Sequence, residues 1–341
     1  MNPQSDAHMI VYVANADSHN VSVLELNRRD GTIRLIENVA AAGSVMHLAI
    51  DPGCKYLYAS LTSEPYSVRS WAIDSDNGRL RPMQVVPAAD NMAYLSLDRS
   101  GRYLLGASYF GDKISINAVD ARGEITPKPQ FVIPTSKHPH CIVTDPSNTF
   151  LFVPALGADA ILQYRFNGRT GETTPNSPPA VAAKKGAGPR HLVFHPDRRR
   201  AFCTNELDGT VNMYDITGSG TLTMLGSFSL MPAGLNKKPW AADIHVTPDG
   251  TFVYASERST NTIAAFRVND GALALIGHYP TETQPRGFNI DPDGKYLLAV
   301  GEQSNSLSTY EIDGRTGALR QRARVSVGRR PNWVEIIALP K

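Results

Sequence analysis

Cysteine is scarce in this chain, and what there is lies scattered: Cys54, Cys141 and Cys203. An odd number with no C-x-x-C pair argues against a disulfide framework and offers no zinc-site spacing. No apolar stretch approaches the roughly 20 residues that a membrane helix needs. The opening MNPQSDAHMIVYVAN lacks a basic flank followed by a long apolar run, so no secretory leader is expected. Charge of one sign is also missing. A formal net charge of +2 provides no strong field for nucleic acid or a membrane surface. There is no Ser nucleophile elbow and no H-E-x-x-H. Gly186-Ala187-Gly188 is no dinucleotide fingerprint, because the third glycine and the following helix are absent. No ligand cluster demands a metal, and no cofactor is expected. These absences make a reducing, cytoplasmic setting the expectation.

Helical periodicity is almost absent too, and a repeat stands in its place. The segments LAIDPGCKYLYAS, LSLDRSGRYLLGAS, IVTDPSNTFLFVPA, LVFHPDRRRAFCTN, IHVTPDGTFVYASE and FNIDPDGKYLLAVG share one plan: strand, tight turn, strand. Their turns begin at Asp51, Asp98, Asp145, His195, Thr247 and Asp291, about 44 to 52 residues apart, close to a propeller-blade period. Asp-Pro and Asp-Gly form turns because proline presets φ and glycine accepts a positive one. A third strand follows each pair (VRSWAI, ISINAV, ILQYRF, VNMYDI, IAAFRV, LSTYEI), then a turn and a weaker fourth strand. Four short strands per unit argue all-β.

Six units are complete. MIVYVAN, VSVLEL and IRLIENV near the N-terminus match strands two to four of another unit, and Pro331 to Ile337 match a lone first strand. The two remnants complement each other. The predicted fold is therefore an all-β, seven-bladed β-propeller with four-stranded antiparallel blades, its ring closed by N- and C-terminal segments within one blade. Residues 1–341 are read as one propeller domain, with 1–8 a flexible lead. Counting the composite blade as the first, blade 5 holds GAGPRHLVFHPDRRRAFCTNE, Gly186 to Glu206.

First strands line the central channel of a propeller. Their starts and the ends of the second strands share one mouth. The first column reads Met46, Ala93, His140, Arg190, Ala242 and Arg286; the second reads Leu61, Tyr109, Leu156, Glu206, Arg258 and Glu302. Early blades are mostly apolar here and later blades are charged. Buried charges need partners, and apolar replacements are often no less stable. Arginine forks suit phosphate or carboxylate ligands, and histidine with glutamate suits proton transfer. The plainer reading is that these charges pair across blades and hold the ring. Elsewhere the plain reading is preferred. Arg198-Arg199-Arg200 is a solvated turn, His195 a turn residue, His245 beside Asp243 a satisfied core histidine, and Trp240 and Trp333 core or rim packing. Lys184-Lys185 and Lys237-Lys238 are solvated, within possible reach of the mouth.

GAGPRHLVFHP, TNEL, WAADIHVTPDG, TETQPRGFNIDPDGKYL and the closing PNWV resemble the bacterial propeller-type 6-phosphogluconolactonase family across essentially the whole chain. The resemblance implies hydrolysis of 6-phospho-D-glucono-1,5-lactone to 6-phosphogluconate, a step of the oxidative pentose phosphate pathway, in the cytoplasm. The related fungal carboxymuconate-lactonizing enzymes have a proposed site of one histidine, two arginines and a glutamate. That implies catalytic roles for His140, Arg190, Glu206 and Arg258, which the columns also select; Arg286, His191 and Glu302 are added as substrate-binding residues. Glu206 or His140 is the expected base, Arg190 the oxyanion donor, and Arg258 with Arg286 the phosphate holders. The expected partner is a small phosphosugar lactone, not nucleic acid or membrane, and the chain is expected to be a monomer or weak homodimer. The alternatives are an enzyme acting on a muconate-like dicarboxylate lactone and a non-catalytic propeller that binds a protein.

Overall fold

The computed structural model describes residues 8–339. They form seven four-stranded antiparallel sheets. Residues 1–7, most of the expected flexible lead, lie outside the described residues, and His8 already opens a strand. The closing sheet runs Pro331–Leu339, His8–Asn15, Asn20–Leu26, Ile33–Ala40 from channel to rim. Its first two strands pair from His8 opposite Leu339 to Asn15 opposite Pro331, so the predicted splice of the two ends is borne out. Blade 5 runs Pro189–Phe194, Arg200–Asn205, Thr210–Ile216, Leu222–Ser229. Among the described residues no helix is long and apolar enough to cross a membrane.

The turn residues act as the repeat suggests. Asp51 and Asp291 accept the backbone N–H groups of Lys55 and Tyr56, and of Lys295 and Tyr296, at 2.6–2.7 Å. A carboxylate that caps its own turn fixes where the second strand begins. His195 replaces the aspartate and still serves: Nδ1 accepts from Asp197 N (3.1 Å), while Nε2 donates to Gly250 O in blade 6 (2.9 Å).

Apolar side chains pack between neighbouring sheets. Ile10, Tyr12 and Val21 of the closing blade meet Leu48, Leu57 and Trp71 of blade 2. Phe202 and Met213 meet Val253 and Phe266 across blades 5 and 6. A tyrosine in the second strand often ties this contact to the outer turn of the next blade. Tyr12 donates to Gly78 O (2.8 Å), Tyr58 to Gly123 O (3.1 Å), Tyr103 to Arg169 O (2.7 Å) and Tyr254 to Gly317 O (2.9 Å). Gly78 has φ +71°, and a Cβ there would come within 2.5 Å of Ile10. The close approach of turn and strand therefore depends on that glycine.

Removing one of these hydroxyls leaves a carbonyl without its partner, a cost of about 1 kcal/mol. Tyr12→Phe and Tyr254→Phe are each expected to lower unfolding free energy by about that much in urea denaturation. The double variant should lose the sum, because the two ties lie in different blade contacts. Unchanged denaturation midpoints would show that these bonds contribute nothing.

Candidate active site

The site is built on an irregularity. In blades 2, 5, 6 and 7 the inner ladder slips between Val45 and Leu48, Pro189 and Leu192, Ala241 and Ile244, and Pro285 and Phe288. Such a bulge sets two residues against one on the partner strand and re-aims their side chains. The N–H that leaves the ladder finds a hydroxyl on the second strand: His47 N to Ser60 Oγ (3.0 Å), His191 N to Thr204 Oγ1 (3.4 Å), Asp243 N to Ser256 Oγ (3.0 Å). In blade 7 the matching residue is Gly287, where a Cβ would come 2.5 Å from Asn332 O.

In blade 5 the bulge presents Arg190 to Glu206. Arg190 Nε donates to Glu206 Oε2 (2.8 Å), and Arg258 Nη2 from blade 6 lies 2.9 Å from the same oxygen. Both arginines are otherwise anchored. Arg190 Nη1 donates to Ala242 O (2.8 Å) and to His191 Nε2 (3.1 Å). Arg258 donates to Trp240 O (3.2 Å) and Ala241 O (3.1 Å), with its guanidinium 4.0 Å from the Trp240 ring centre. A cavity of about 330 Å³ opens above, lined among others by His140, Glu206, Arg258, Arg286 and Tyr109, with Phe110 and Trp240 at its edge. Glu206 thus pairs with Arg190 within blade 5 and with Arg258 across to blade 6. This pairing leaves out Arg286, whose side chain makes no hydrogen bond or ion pair among the described residues and lines the cavity.

A family model described as a lactonase, 7-bladed beta-propeller matches residues 8–336. This chain belongs to the seven-bladed lactonase propeller family. It is 38% identical over 333 residues to the 6-phosphogluconolactonase of Pectobacterium atrosepticum, covering 97% of this chain and 99% of that one. It is 39% identical over 332 residues to that of Serratia proteamaculans, covering 96% and 99%. Among solved structures, the periplasmic gluconolactonase PpgL of Pseudomonas aeruginosa is similar with a TM-score of 0.91 and 28% identity, covering 98% of this chain and 99% of that one.

In this lactonase three guanidinium groups surround one carboxylate, so the mouth carries an excess of positive charge. Burial alone would raise the Glu206 carboxyl; Arg190, Arg258 and Arg286 overcome that and hold it below the ordinary value. Burial and Arg286 bring Arg190 down to about 10, and burial and Arg190 bring Arg258 down to about 9, so both stay charged at neutral pH. His140 is 5% exposed. Burial and Arg190 push it well below the ordinary histidine value, so it is neutral. Its Nδ1 is buried without a partner among the described residues, which leaves Nε2 to meet the cavity.

His191, expected at the substrate, is 4% exposed and lines a small void together with His140, Arg190 and Arg286. Its Nδ1 lies 2.8 Å from Asp243 Oδ1 and its Nε2 receives Arg190. Arginine can only donate, so the ring proton belongs on Nδ1. Burial and Arg190 outweigh Asp243 and push His191 down to about 3. Glu302 is at the same end of its blade without lining the cavity, though its charge acts on Arg258. Leu61 does not belong to the mouth: it pairs with Val45 and packs in the core, and the next residue, Thr62, lines the cavity. One residue along a strand reverses the facing side, which accounts for the difference. Asp243 also accepts from Phe288 N (3.2 Å) and lies 3.3 Å from His245 Nε2. Sequence reasoning gave it no role at the site, although it stands in the column directly after the one that holds Arg190 and Arg286.

Below the mouth that next column closes the channel. The His47 ring is tilted against Trp333 and Tyr94, with centroids 3.7 Å and 4.0 Å away, and the His191 ring lies 5.1 Å from Tyr94. Among the described residues no group of three or more His, Cys, Asp or Glu is arranged to hold a metal ion.

Nitrogen NMR of the imidazoles tests the buried chain from Asp243 to Arg190. His191 is expected to stay neutral with its proton on Nδ1 as pH is lowered to about 4, since its pKa lies near 3. An imidazolium signal from His191 at pH 6 would remove its part in holding Arg190.

Proposed function

We propose that this lactonase hydrolyses 6-phospho-D-glucono-1,5-lactone to 6-phosphogluconate in the oxidative pentose phosphate pathway. The observation that carries the reading is Arg286: a cationic fork with no hydrogen-bond or ion-pair partner among the described residues, in the same cavity as a neutral histidine and the anchored Arg258. An uncommitted arginine suits a phosphate. The relatives that bear the 6-phosphogluconolactonase name, similar over nearly their whole length, support it further. Free cysteines at positions 54, 141 and 203 fit a cytoplasmic setting.

The roles follow from which atoms are free. Glu206 already holds two arginines through one oxygen, and its lowered pKa makes it the weaker base. His140 Nε2 takes a proton from water as the water oxygen attacks the lactone carbonyl carbon. Arg190 keeps Nη2 without a hydrogen bond among the described residues and meets the developing oxyanion. Collapse of the tetrahedral intermediate breaks the bond from carbonyl carbon to ring oxygen. The imidazolium returns its proton to that oxygen, and the new carboxylic acid ionises in solvent. Arg286 binds the 6-phosphate, with Arg258 adding charge from its fixed position. Phe110, 77% exposed, and Trp240, 38% exposed, supply faces for the C–H groups of the sugar.

Consumption of freshly generated 6-phospho-δ-gluconolactone, corrected for the uncatalysed rate, tests the reading. His140→Ala should lower kcat about a hundredfold or more. Arg286→Ala should raise KM for the phosphorylated lactone about 10- to 100-fold, the loss of one charge-assisted bond. It should leave glucono-1,5-lactone almost unaffected. Equal losses on both lactones would take the phosphate role from Arg286. No acceleration with the phosphorylated lactone, together with turnover of a muconolactone, would replace this reading by the dicarboxylate one.

The pH profile gives an independent check. A base whose pKa is lowered stays unprotonated, and active, until pH falls below that lowered value. So kcat/KM should be level through the ordinary histidine value of about 6.5. A fall centred there would remove His140 as base.

A further inference from the structure

The channel has a second chamber. On the far side of the His47, Tyr94 and Trp333 rings lies a cavity of about 270 Å³ that opens toward the turn face of the ring. Part of its wall comes from the same inner strands: His245 and Asn289 stand two residues before the turns that begin at Thr247 and Asp291. Blades 6, 7 and the closing blade place His245, Asn289 and Glu335 side by side. Thr144 and Arg99 line it from blades 4 and 3.

Two of its side chains are unexplained by the fold. Thr144 is 3% exposed and its Oγ1 has no hydrogen-bond partner among the described residues. His47, also 3% exposed, has no hydrogen-bond partner at either ring nitrogen among the described residues. Buried polar atoms cost stability when left unmatched, and both of these residues line this chamber. The other groups are only partly engaged. Glu335 Oε1 accepts from Trp333 Nε1 (2.8 Å), and Asn289 Nδ2 lies 3.4 Å from Oε2. Arg99 Nη2 lies 3.5 Å from Thr144 O.

We propose that this chamber is a second ligand site, for a small uncharged polyol of hexose size. One arginine and one carboxyl bring no strong excess of charge, unlike the active-site mouth. What they bring is a donor-only group, a group rich in acceptors, and between them amide, hydroxyl and imidazole groups that can do either. Adjacent hydroxyls, each donor and acceptor, match that set. The tilted rings of His47, Tyr94 and Trp333 form an apolar floor for C–H groups. The same ring layer separates this chamber from Arg286 and Glu206, so occupancy of one need not displace a ligand in the other. The proposal does not depend on which lactone the enzyme hydrolyses.

Saturation-transfer NMR on the full chain, with D-glucose and D-sorbitol as separate probes, tests it and distinguishes a ring from an open chain. Saturable binding of at least one is expected. Thr144→Val, which keeps the shape and removes the hydroxyl, and Arg99→Ala at an exposed residue should each weaken it at least tenfold. Arg286→Ala should leave it unchanged. Absence of saturable binding by both probes would overturn the proposal. So would binding that survives Thr144→Val and Arg99→Ala, or that disappears with Arg286→Ala, since it would then lie elsewhere or at the active-site mouth. Circular dichroism melts of each variant confirm that a loss is not unfolding.

Discussion

The pairing of the last strand with the first is the constraint on which the rest depends. Each sheet buries its faces only against its two neighbours, so an open ring would leave two apolar faces bare. Closing it inside a blade, Pro331–Leu339 against His8–Asn15, turns that junction into one more antiparallel ladder. Residues far apart in sequence then face one another around a channel of fixed width. Arg190, Arg258 and Arg286 come from three successive blades, and nothing local to any of them says that they act on one carboxylate.

Within that ring the bulges determine what each blade presents. A regular ladder would turn Arg190 and His191 to opposite faces of the sheet, one toward a neighbouring blade. The slip between Pro189 and Leu192 brings one to Glu206 and the other to Asp243. The hydroxyl that accepts the freed N–H keeps the distortion from leaving a bare donor. Thr204 has this duty in blade 5 and Ser256 in blade 6. The scaffold thus supports charged chemistry where irregular backbone would otherwise weaken the sheet.

Much of this is legible in the residues. Turn formers at regular spacing declare the blades, and the two incomplete ends declare the closure. The first column alone finds His140, Arg190 and Arg286, because all blades share one register at that point. Two things escaped. Leu61 stood in for Thr62, since a slip of one residue changes which side chain faces the mouth and composition cannot reveal it. The next column, His47, Tyr94, Cys141, His191, Asp243 and Gly287, mixes residue types that look like ordinary core. Its meaning depends on ring-to-ring distances and on which nitrogen of His191 faces Arg190. A side chain's hydrogen-bond partners across blades are set by the curvature of the ring, which no spacing within one blade encodes.

The electrostatics of the mouth explain why one arginine is left over. Glu206 neutralises a single charge, yet two guanidinium groups converge on its Oε2. Backbone carbonyls of Ala242, Trp240 and Ala241 take up further N–H groups, which makes the pair tolerable in a buried place without cancelling its charge. Burial first, and then repulsion among the three arginines, lowers the pKa of Arg190 and Arg258, and Arg286 adds to that repulsion. Replacing Arg286 by an apolar residue would relieve that strain on stability. Its presence makes sense as part of a site that is complete only when an anion enters, because a phosphate there supplies the negative charge that the protein itself withholds.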